Sequence, residues 1–188
     1  MSWTAVMPLK QGIDRKSRLS GTLSPDQRSI LSDHMADHVQ SVLNACQRID
    51  RVLIVSSEKS PRVCGWRRDH GRGLNVELTA LRASLADTSM IIVHGDLPLL
   101  STDDVSALIA AAGKGVAIAP DRHGTGTNAL ACAAHASVAF AFGPDSCALH
   151  LASTGGRAQL VERSGLAIDV DTPDDLDCAL AGGLQLPW

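Results

Sequence analysis

Aromatic residues are scarce in this chain. Only 3% of the 188 residues are aromatic and Tyr is absent, so the stacking platforms that single-stranded nucleic acid needs are poorly supplied. The net charge is -3, from 17 basic and 20 acidic residues. This balance gives no overall field that would attract DNA or an anionic membrane. We therefore expect neither a nucleic acid nor a membrane as a partner.

Long hydrophobic runs and paired cysteines are also missing. No apolar run reaches the roughly 18 residues that a membrane span needs, and the first ten residues lack the pattern of a secretory signal. These absences predict a cytoplasmic protein. The cysteine count is odd and no pair has C-x-x-C spacing, which argues against a disulfide framework and a zinc knuckle. The five are Cys46, Cys64, Cys132, Cys147 and Cys178.

Apolar residues make up 45% of the chain, enough for the core of one domain over residues 1–188. Short apolar runs bounded by turn residues predict strands. They cover residues 3–7, 51–56, 90–93 and 115–119, a pair at 128–133 and 138–142, a strand entry at 166–171, and a short strand near Val63. Strands that alternate with helices predict a mostly parallel α/β sandwich with a later antiparallel portion.

Helix starts are marked by capping sequences. Ser24-Pro25-Asp26-Gln27 combines an N-cap, Pro at the first helical position and a capping-box Gln. Thr172-Pro173 repeats the arrangement before the last helix. Further helices are predicted from Gly73 to about residue 86, from Ser101, and from residues 143–146 to Gly155-Gly156.

The stretch Met90-Ile-Ile-Val-His-Gly-Asp96-Leu-Pro98 organises the chain. Its apolar run predicts a strand buried on both faces, and Asp96 follows the carboxyl end, where ligands bind in open α/β sheets. We interpret Asp96 as a ligand of a magnesium ion that bridges nucleotide phosphates. The alternative is an Asp that caps a turn before Pro98.

A second acidic segment lies near the end of the chain. In Asp169-Val-Asp171 the carboxylates alternate along a predicted strand, so both side chains point the same way. Two carboxylate sites that each end a strand suit a magnesium ion, which needs only one or two protein carboxylates.

Basic and Gly-rich loops complete the candidate site. Residues 9–19 follow the first strand and carry Lys10, Arg15, Lys16 and Arg18, which suits either phosphates or a solvated surface. The loop is not a Walker A motif, because Arg15 precedes Lys16-Ser17 where that motif has Gly. The loop at residues 120–128 and the helix start at 143–146 are candidate anion sites.

The two carboxylate sites, the basic loop and the candidate anion sites suit metal-assisted nucleotidyl transfer. Lys and Arg neutralise charge on the reacting phosphoryl group and on the departing pyrophosphate. If the acceptor is itself a phosphate, its oxygen is already ionised and no side-chain base is needed. The sequence shows no convincing Ser-His-Asp or Cys-His constellation, which agrees with that chemistry.

The ordered set of motifs resembles the guanylyltransferases of coenzyme F420 biosynthesis, the 2-phospho-L-lactate or phosphoenolpyruvate guanylyltransferases. The resemblance covers almost the whole chain. Its motifs are Trp3-x-Ala-Val-Met-Pro-Leu-Lys10, Lys16-Ser-Arg-Leu19, Gly73-Leu-Asn75, Gly95-Asp-Leu-Pro-Leu-Leu100, Ala119-Pro-Asp-Arg122, Gly124-Thr-Gly-Thr-Asn128, Phe142-Gly-Pro-Asp-Ser146, His150 and Asp169-Val-Asp-Thr-Pro-Asp174.

The resemblance implies a three-layer, Rossmann-like sandwich similar to the nucleotide-diphospho-sugar transferases. It implies that GTP and a phosphorylated three-carbon acid give a guanylylated acid and pyrophosphate. Carried over, the nucleotide-binding residues are Lys10, Lys16, Ser17, Arg18 and Asn75. Magnesium would be held by Asp96 and by Asp171 or Asp169, and Lys16, Asp96 and Asp171 would be catalytic. The acid would contact Thr127, Gly143 and Ser146.

The sequence departs from the family pattern in two places, and these departures leave the identity of the acceptor acid open. Arg15 stands where family members often have Ala, and Cys147-Ala-Leu follows Ser146 where they often have an aromatic or basic residues. Phosphoenolpyruvate, 2-phospho-L-lactate and 3-phospho-D-glycerate therefore all stay possible. The alternatives are a molybdenum-cofactor or sugar-phosphate nucleotidyltransferase, and a GTP-binding module without catalysis. The sequence leaves the oligomeric state open, with a homodimer among the options.

Overall fold

The computed structural model describes residues 2–10, 15–59, 65–85 and 87–188. In the described residues, seven strands form one sheet: β1 (Trp3–Pro8), β2 (Ile49–Ser56), β3 (Trp66–Arg68), β4 (Ser89–Val93), β5 (Val116–Pro120), β6 (Thr127–Cys132) and β7 (Gln159–Leu160). The order across the sheet is β3-β2-β1-β4-β6-β5-β7. β6 alone runs antiparallel to its neighbours, so the predicted mostly parallel sheet with a later antiparallel portion is confirmed.

Within these ranges the chain forms six α-helices: α1 (Pro25–Ala45), α2 (Leu74–Ser84), α3 (Thr102–Ala112), α4 (Ser146–Ser153), α5 (Ser164–Ala167) and α6 (Pro173–Ala181). The capping boxes predicted at Ser24 and Thr172 are both formed. A third capping box, at Ser101, begins α3. These side chains satisfy backbone N–H groups that the first turn of a helix leaves unpaired.

The strand residues alternate between two buried faces. Ala5 and Met7 of β1 pack in one core cluster with Val39 of α1 and Leu108 of α3. Val6 packs in the other, which also contains residues of α2 and α4. Successive side chains on a strand point to opposite faces, so the helices form a layer on each side of the sheet. The expected three-layer α/β sandwich is confirmed.

Two predicted strands are absent. Residues 138–142 form no ladder, since their backbone donors go to side chains: the Ala141 N–H donates to His150 and the Phe142 N–H to Asn75. Residues 166–171 contain the end of α5 and an irregular segment, whose Val170 N–H donates to the carbonyl of Asp96. The strand predicted near Val63 lies outside the described residues.

Candidate active site

The carboxyl ends of four strands form the edge of the sheet where the candidate site lies. β1, β2, β3 and β4 are parallel, so the residues that follow them meet at that edge. β6 is antiparallel to β4, which brings its first residues to the same place. The N–H of His94 donates to the carbonyl of Asn128 across 3.0 Å.

Lys16 connects the two acidic segments predicted from the sequence. Its Nζ donates to Oδ2 of Asp96 at 2.6 Å and to Oδ1 of Asp171 at 2.8 Å. Lys16 has φ 55° and ψ 40°, a left-handed conformation that costs a non-glycine residue about 1–3 kcal/mol. The fold therefore brings Lys16, Asp96 and Asp171 together in one cluster, and holds the lysine backbone in a strained conformation while doing so.

The start of α6 fixes Asp171. Oδ2 of Asp175 accepts from the backbone N–H groups of Thr172 and Asp171, at 2.7 and 3.1 Å. Arg122, from the loop after β5, donates its Nε to Oδ1 of Asp175 at 2.8 Å. The capping box therefore also orients the carboxylate that lies just before the helix, and Arg122 ties that helix to the sheet.

Asp169 lies beside the same cluster but is bonded elsewhere. Its Oδ1 accepts from Nδ2 of Asn128 at 3.0 Å, and the same amide group donates to the carbonyls of Leu166 and Ala167. Burial first, and then the charge of Asp96, raises the pKa of Asp169 to about 6. Asn128 thus holds the segment that carries both predicted carboxylates against the start of β6.

The charges of the cluster support one another. Burial alone would lower the pKa of Lys16, but the carboxylates of Asp96 and Asp171 raise it above its ordinary value. Burial alone would raise the pKa of Asp96, but the Lys16 ammonium holds it below its usual range. Lys16 and Asp96 are therefore both charged at neutral pH.

The residues present fit a magnesium ion. Oδ1 of Asp96 is buried and has no hydrogen-bond partner among the described residues, which is unfavourable for a carboxylate unless a cation satisfies it. Mg²⁺ takes one or two protein carboxylates and fills its other positions with water and phosphate oxygens. Within the described ranges no group of three or more His, Cys, Asp or Glu side chains could hold a metal. The fit is to an open site with two carboxylates.

A cleft of about 630 Å³ opens beside this cluster, within the size range of small-molecule sites. Four of the five residues that the resemblance assigns to nucleotide binding line it, namely Lys10, Lys16, Ser17 and Arg18. Apolar residues supply other parts of the lining: Pro8, Leu9, Met35, Val55 and Leu74. The part of the basic loop at residues 11–14 lies outside the described residues.

Arg15, one of the two departures from the family pattern, is tied to α1. Its Nη1 donates to Oδ1 of Asp33 at 2.7 Å and its Nη2 donates to the hydroxyl of Ser29 at 3.1 Å. The side chain also lines the cleft. Because Arg15 directly precedes the strained Lys16, these bonds to α1 help to hold the turn that directs the lysine.

His94 is a cleft residue that the sequence reasoning missed. Its ring lies 5.2 Å from the ring of Phe142, and its Nε2 is buried without a partner among the described residues. Burial lowers the pKa of His94, so the ring is neutral at pH 7. The signal in the sequence is its position, since it directly follows the buried strand β4 and precedes Gly95-Asp96.

Thr127, Gly143 and Ser146, which the resemblance assigns to the acid, lie at the starts of β6 and α4. Ser146 is the first residue of α4, and its N–H donates to the carbonyl of Gly143 at 3.2 Å. Oγ1 of Thr127 lies 3.0 Å from Nδ1 of His150 on α4. The fold therefore joins the two segments that carry these residues through a buried histidine.

The hydrogen bonds of His150 determine which nitrogen carries its proton. The N–H of Ala141 donates to Nε2 at 2.9 Å. Nε2 is therefore the unprotonated nitrogen whose lone pair accepts this bond, and Nδ1 carries the proton of the neutral ring. Burial lowers the pKa of His150 to about 4, which keeps the ring neutral. Nδ1–H therefore donates to Thr127, and the hydroxyl hydrogen of Thr127 is left free to donate to another group.

The side chain of Asn75, which the resemblance predicts to contact the nucleoside, is hydrogen-bonded to the protein backbone in this structure. Its Oδ1 accepts from the N–H of Phe142 at 2.7 Å and its Nδ2 donates to the Phe142 carbonyl at 3.0 Å. The observed contact fixes the segment before Gly143. The nucleoside contact of Asn75 stays a prediction.

Comparisons with known proteins identify the family of this chain. The profile of the family described as "Guanylyl transferase CofC like" matches residues 3–184. The chain belongs to this family. It is 40% identical to the phosphoenolpyruvate guanylyltransferase of Sphaerobacter thermophilus over 97% of this chain and 94% of that protein. It is 36% identical to the phosphoenolpyruvate guanylyltransferase of Rubrobacter xylanophilus over 98% and 97% of the two chains.

Solved structures show the same fold. A protein of Desulfovibrio desulfuricans G20, provisionally named as a nucleotide-diphospho-sugar transferase, matches with a TM-score of 0.74 at 14% identity, over 95% of this chain and 87% of the other. The predicted fold class and the predicted guanylyltransferase family are confirmed. Membership of this family makes the chain a nucleotidyltransferase of the guanylyltransferase type.

No helix in the described ranges is both long and apolar enough to span a bilayer.

Proposed function

We propose that this CofC-like enzyme transfers GMP from GTP to the phosphate of phosphoenolpyruvate and releases pyrophosphate. The observation that carries the proposal is the contact of Lys16 with both Asp96 and Asp171 beside the cleft. The names of its relatives support guanylyl transfer and favour phosphoenolpyruvate over the other two acids. The product would serve the biosynthesis of coenzyme F420, as the resemblance implies.

Asp96 and Asp171 would hold Mg²⁺. When bound, the ion would neutralise charge on the phosphate oxygens and align the triphosphate. Lys16 is the residue of the chain best placed to bind the α-phosphoryl oxygens, since it already lies against both carboxylates. Lys10 and Arg18 line the same cleft and would bind the other phosphates through charge-assisted hydrogen bonds.

The acceptor needs no side-chain base. Its phosphate is ionised at neutral pH, so one of its oxygens attacks the α-phosphorus of GTP directly. The bond from that oxygen to phosphorus forms, the bond from the α-phosphorus to the bridging oxygen breaks, and pyrophosphate leaves with the electron pair. Thr127, Gly143 and Ser146 would hold the acid, with the free hydroxyl hydrogen of Thr127 donating to an anionic oxygen.

The test is a matrix of four nucleoside triphosphates against phosphoenolpyruvate, 2-phospho-L-lactate, 3-phospho-D-glycerate, molybdopterin and a sugar phosphate, with Mg²⁺ present and product mass as the readout. We expect the guanylylated acid from GTP and phosphoenolpyruvate. Turnover only with molybdopterin or sugar phosphates would favour the alternative nucleotidyltransferase. GTP binding without turnover of any acceptor would favour a module without catalysis, and either result would overturn the proposal.

A further inference from the structure

We propose that the carboxylate of Asp69 selects guanine by accepting hydrogen bonds from its N1–H and 2-amino groups. The proposal rests on the proposed function, because it concerns the nucleotide from which GMP is transferred. Asp69 lines the same cleft as Lys16 and Asp96, and neither the resemblance nor the comparisons assign it a role.

Asp69 lies at the far end of the binding edge from the carboxylate cluster. It directly follows β3, and its N–H donates to the carbonyl of Ser56 at 2.9 Å. β3 and β4 are separated by β2 and β1, which is three strand spacings or about 14 Å. A nucleotide whose phosphates lie beside Lys16 is long enough to bring its base near Asp69.

The side chains between the two ends suit the parts of a nucleotide. Cations line the cleft around Lys16, where phosphates would lie. Val55, near the end of β2, and Leu74, at the start of α2, also line the cleft. Their apolar surfaces are appropriate to the faces of a base. The chemistry of the lining therefore places the base, rather than the phosphates, at the end with Asp69.

The Asp69 carboxylate is oriented and has acceptor capacity to spare. Its Oδ1 accepts from the N–H of Gly71 at 2.7 Å, which fixes the rotation of the group. The nearby Arg72 is paired with Glu77, at 2.9 and 2.8 Å, and makes no salt bridge to Asp69 among those within the described residues. A carboxylate accepts about four hydrogen bonds, so Asp69 can accept two more.

Guanine is the base that this group fits. Its N1–H and 2-amino groups are adjacent donors, which a carboxylate can accept as a bidentate pair. Adenine and cytosine present a ring nitrogen lone pair at the corresponding edge, which would face the negative carboxylate. Uracil presents one N–H flanked by carbonyl oxygens, which would also be repelled. Asp69 therefore discriminates by repulsion as well as by attraction.

Nucleotide analogues test the proposal on the natural protein. ITP lacks the 2-amino group and 1-methyl-GTP lacks the N1 hydrogen. We expect each to bind about 10- to 100-fold more weakly than GTP in equilibrium dialysis with Mg²⁺ and no acceptor. Equal affinity of GTP, ITP and 1-methyl-GTP would overturn the proposal without any variant being needed.

The variant Asp69→Asn gives a second, directional test. An amide offers one acceptor and one donor, which matches the N1–H and the 2-carbonyl of xanthine. We expect Asp69→Asn to weaken GTP binding by about 10-fold or more and to strengthen XTP binding. Asp103→Asn, an exposed carboxylate on α3, is the matched control and should change neither.

The possible failures can be told apart. If Asp69→Asn keeps the GTP preference of the natural protein, the role of Asp69 is wrong while guanylyl transfer stands. If the variant does not fold, the affinities of ITP and 1-methyl-GTP decide the question. If the natural protein binds GTP selectively but yields no guanylylated acid, the proposed function fails and the role of Asp69 stands.

Discussion

The Nζ of Lys16 lies 2.6 Å from Oδ2 of Asp96, so a lysine neutralises a carboxylate that we propose as a magnesium ligand. An ammonium and Mg²⁺ compete for the same oxygen atoms, and Lys16 also contacts Asp171. A bound triphosphate would draw Lys16 away and release both carboxylates to the metal. Metal and nucleotide binding are therefore expected to be coupled through this lysine.

Lys16→Gln should increase metal affinity in the absence of nucleotide, although it should lower activity. We expect Mn²⁺, used as a paramagnetic substitute for Mg²⁺, to bind about 10-fold more tightly, which corresponds to about 1.4 kcal/mol. Electron paramagnetic resonance of free Mn²⁺ measures this directly. Lys114→Gln, at an exposed lysine that does not line the cleft, is the control and should leave the affinity unchanged. Weaker Mn²⁺ binding in Lys16→Gln would contradict the competition.

Asn128→Ala should destabilise the fold as well as the site. The variant removes the donor that satisfies two backbone carbonyls and Asp169, and unsatisfied buried acceptors cost about 1–3 kcal/mol each. We expect the free energy of unfolding in urea to fall by about 2–3 kcal/mol. The exposed Asn44→Ala should change it by no more than about 0.5 kcal/mol. A small effect at Asn128 would show that the segment at residues 166–169 is held by other contacts.

The protonated nitrogen of His150 predicts unequal effects of two substitutions. In His150→Asn, the side-chain amide can lie where Nδ1–H was and can still donate to Thr127. In His150→Gln, the longer side chain places its amide near the position of Nε2, so Thr127 loses its donor. We expect His150→Gln to raise the KM for phosphoenolpyruvate about 10-fold, and His150→Asn to raise it less. The KM for GTP should change little in either variant. A rise in the KM for GTP alone would contradict the role of His150 in positioning Thr127.

His150 also makes the free energy of unfolding depend on pH. The pKa of His150 is about 4 in the folded protein, below the value of about 6.5 expected on unfolding. The unfolded chain therefore binds more protons between pH 6.5 and 4. His150 contributes stability that is fully present above pH 6.5 and is lost as the pH falls, up to about 3 kcal/mol.

Urea unfolding of the natural protein and of His150→Asn across this range measures that contribution. The natural protein should lose stability more steeply than the variant as the pH falls from 6.5 to 4. His34→Asn, an exposed histidine on α1, should follow the natural protein. Identical slopes for the natural protein and His150→Asn would show that His150 titrates normally.

Local signals in the sequence predicted the scaffold well. Ser24 and Thr172 begin their helices with the expected capping boxes, because a cap depends on residues within one turn. The buried strands before Pro8 and Asp96 were also predicted from short apolar runs. Strand order and direction then place Asp96 and Thr127 at one edge, so the site residues follow from the topology once the strands are known.

The strand predictions that are wrong lie where tertiary contacts, rather than the local sequence pattern, determine the backbone conformation. The apolar run at 138–142 resembles a strand, but side chains of His150 and Asn75 take up its backbone donors. The alternation in Asp169-Val-Asp171 does not reflect a strand, since Asn128 and the Asp96 carbonyl hold that segment. The left-handed conformation of Lys16 has no local signal, because contacts far away in the sequence stabilise it.

Pyrophosphate release by Asp96→Asn, with GTP, phosphoenolpyruvate and Mg²⁺, tests the central claim most directly. The amide preserves the size of the side chain and removes the charge that Lys16 and the metal would share. We predict that the initial rate falls at least about 100-fold, while far-UV circular dichroism stays unchanged and Asp103→Asn retains the rate of the natural protein. A rate for Asp96→Asn within a few-fold of the natural protein would contradict the role of this carboxylate in guanylyl transfer.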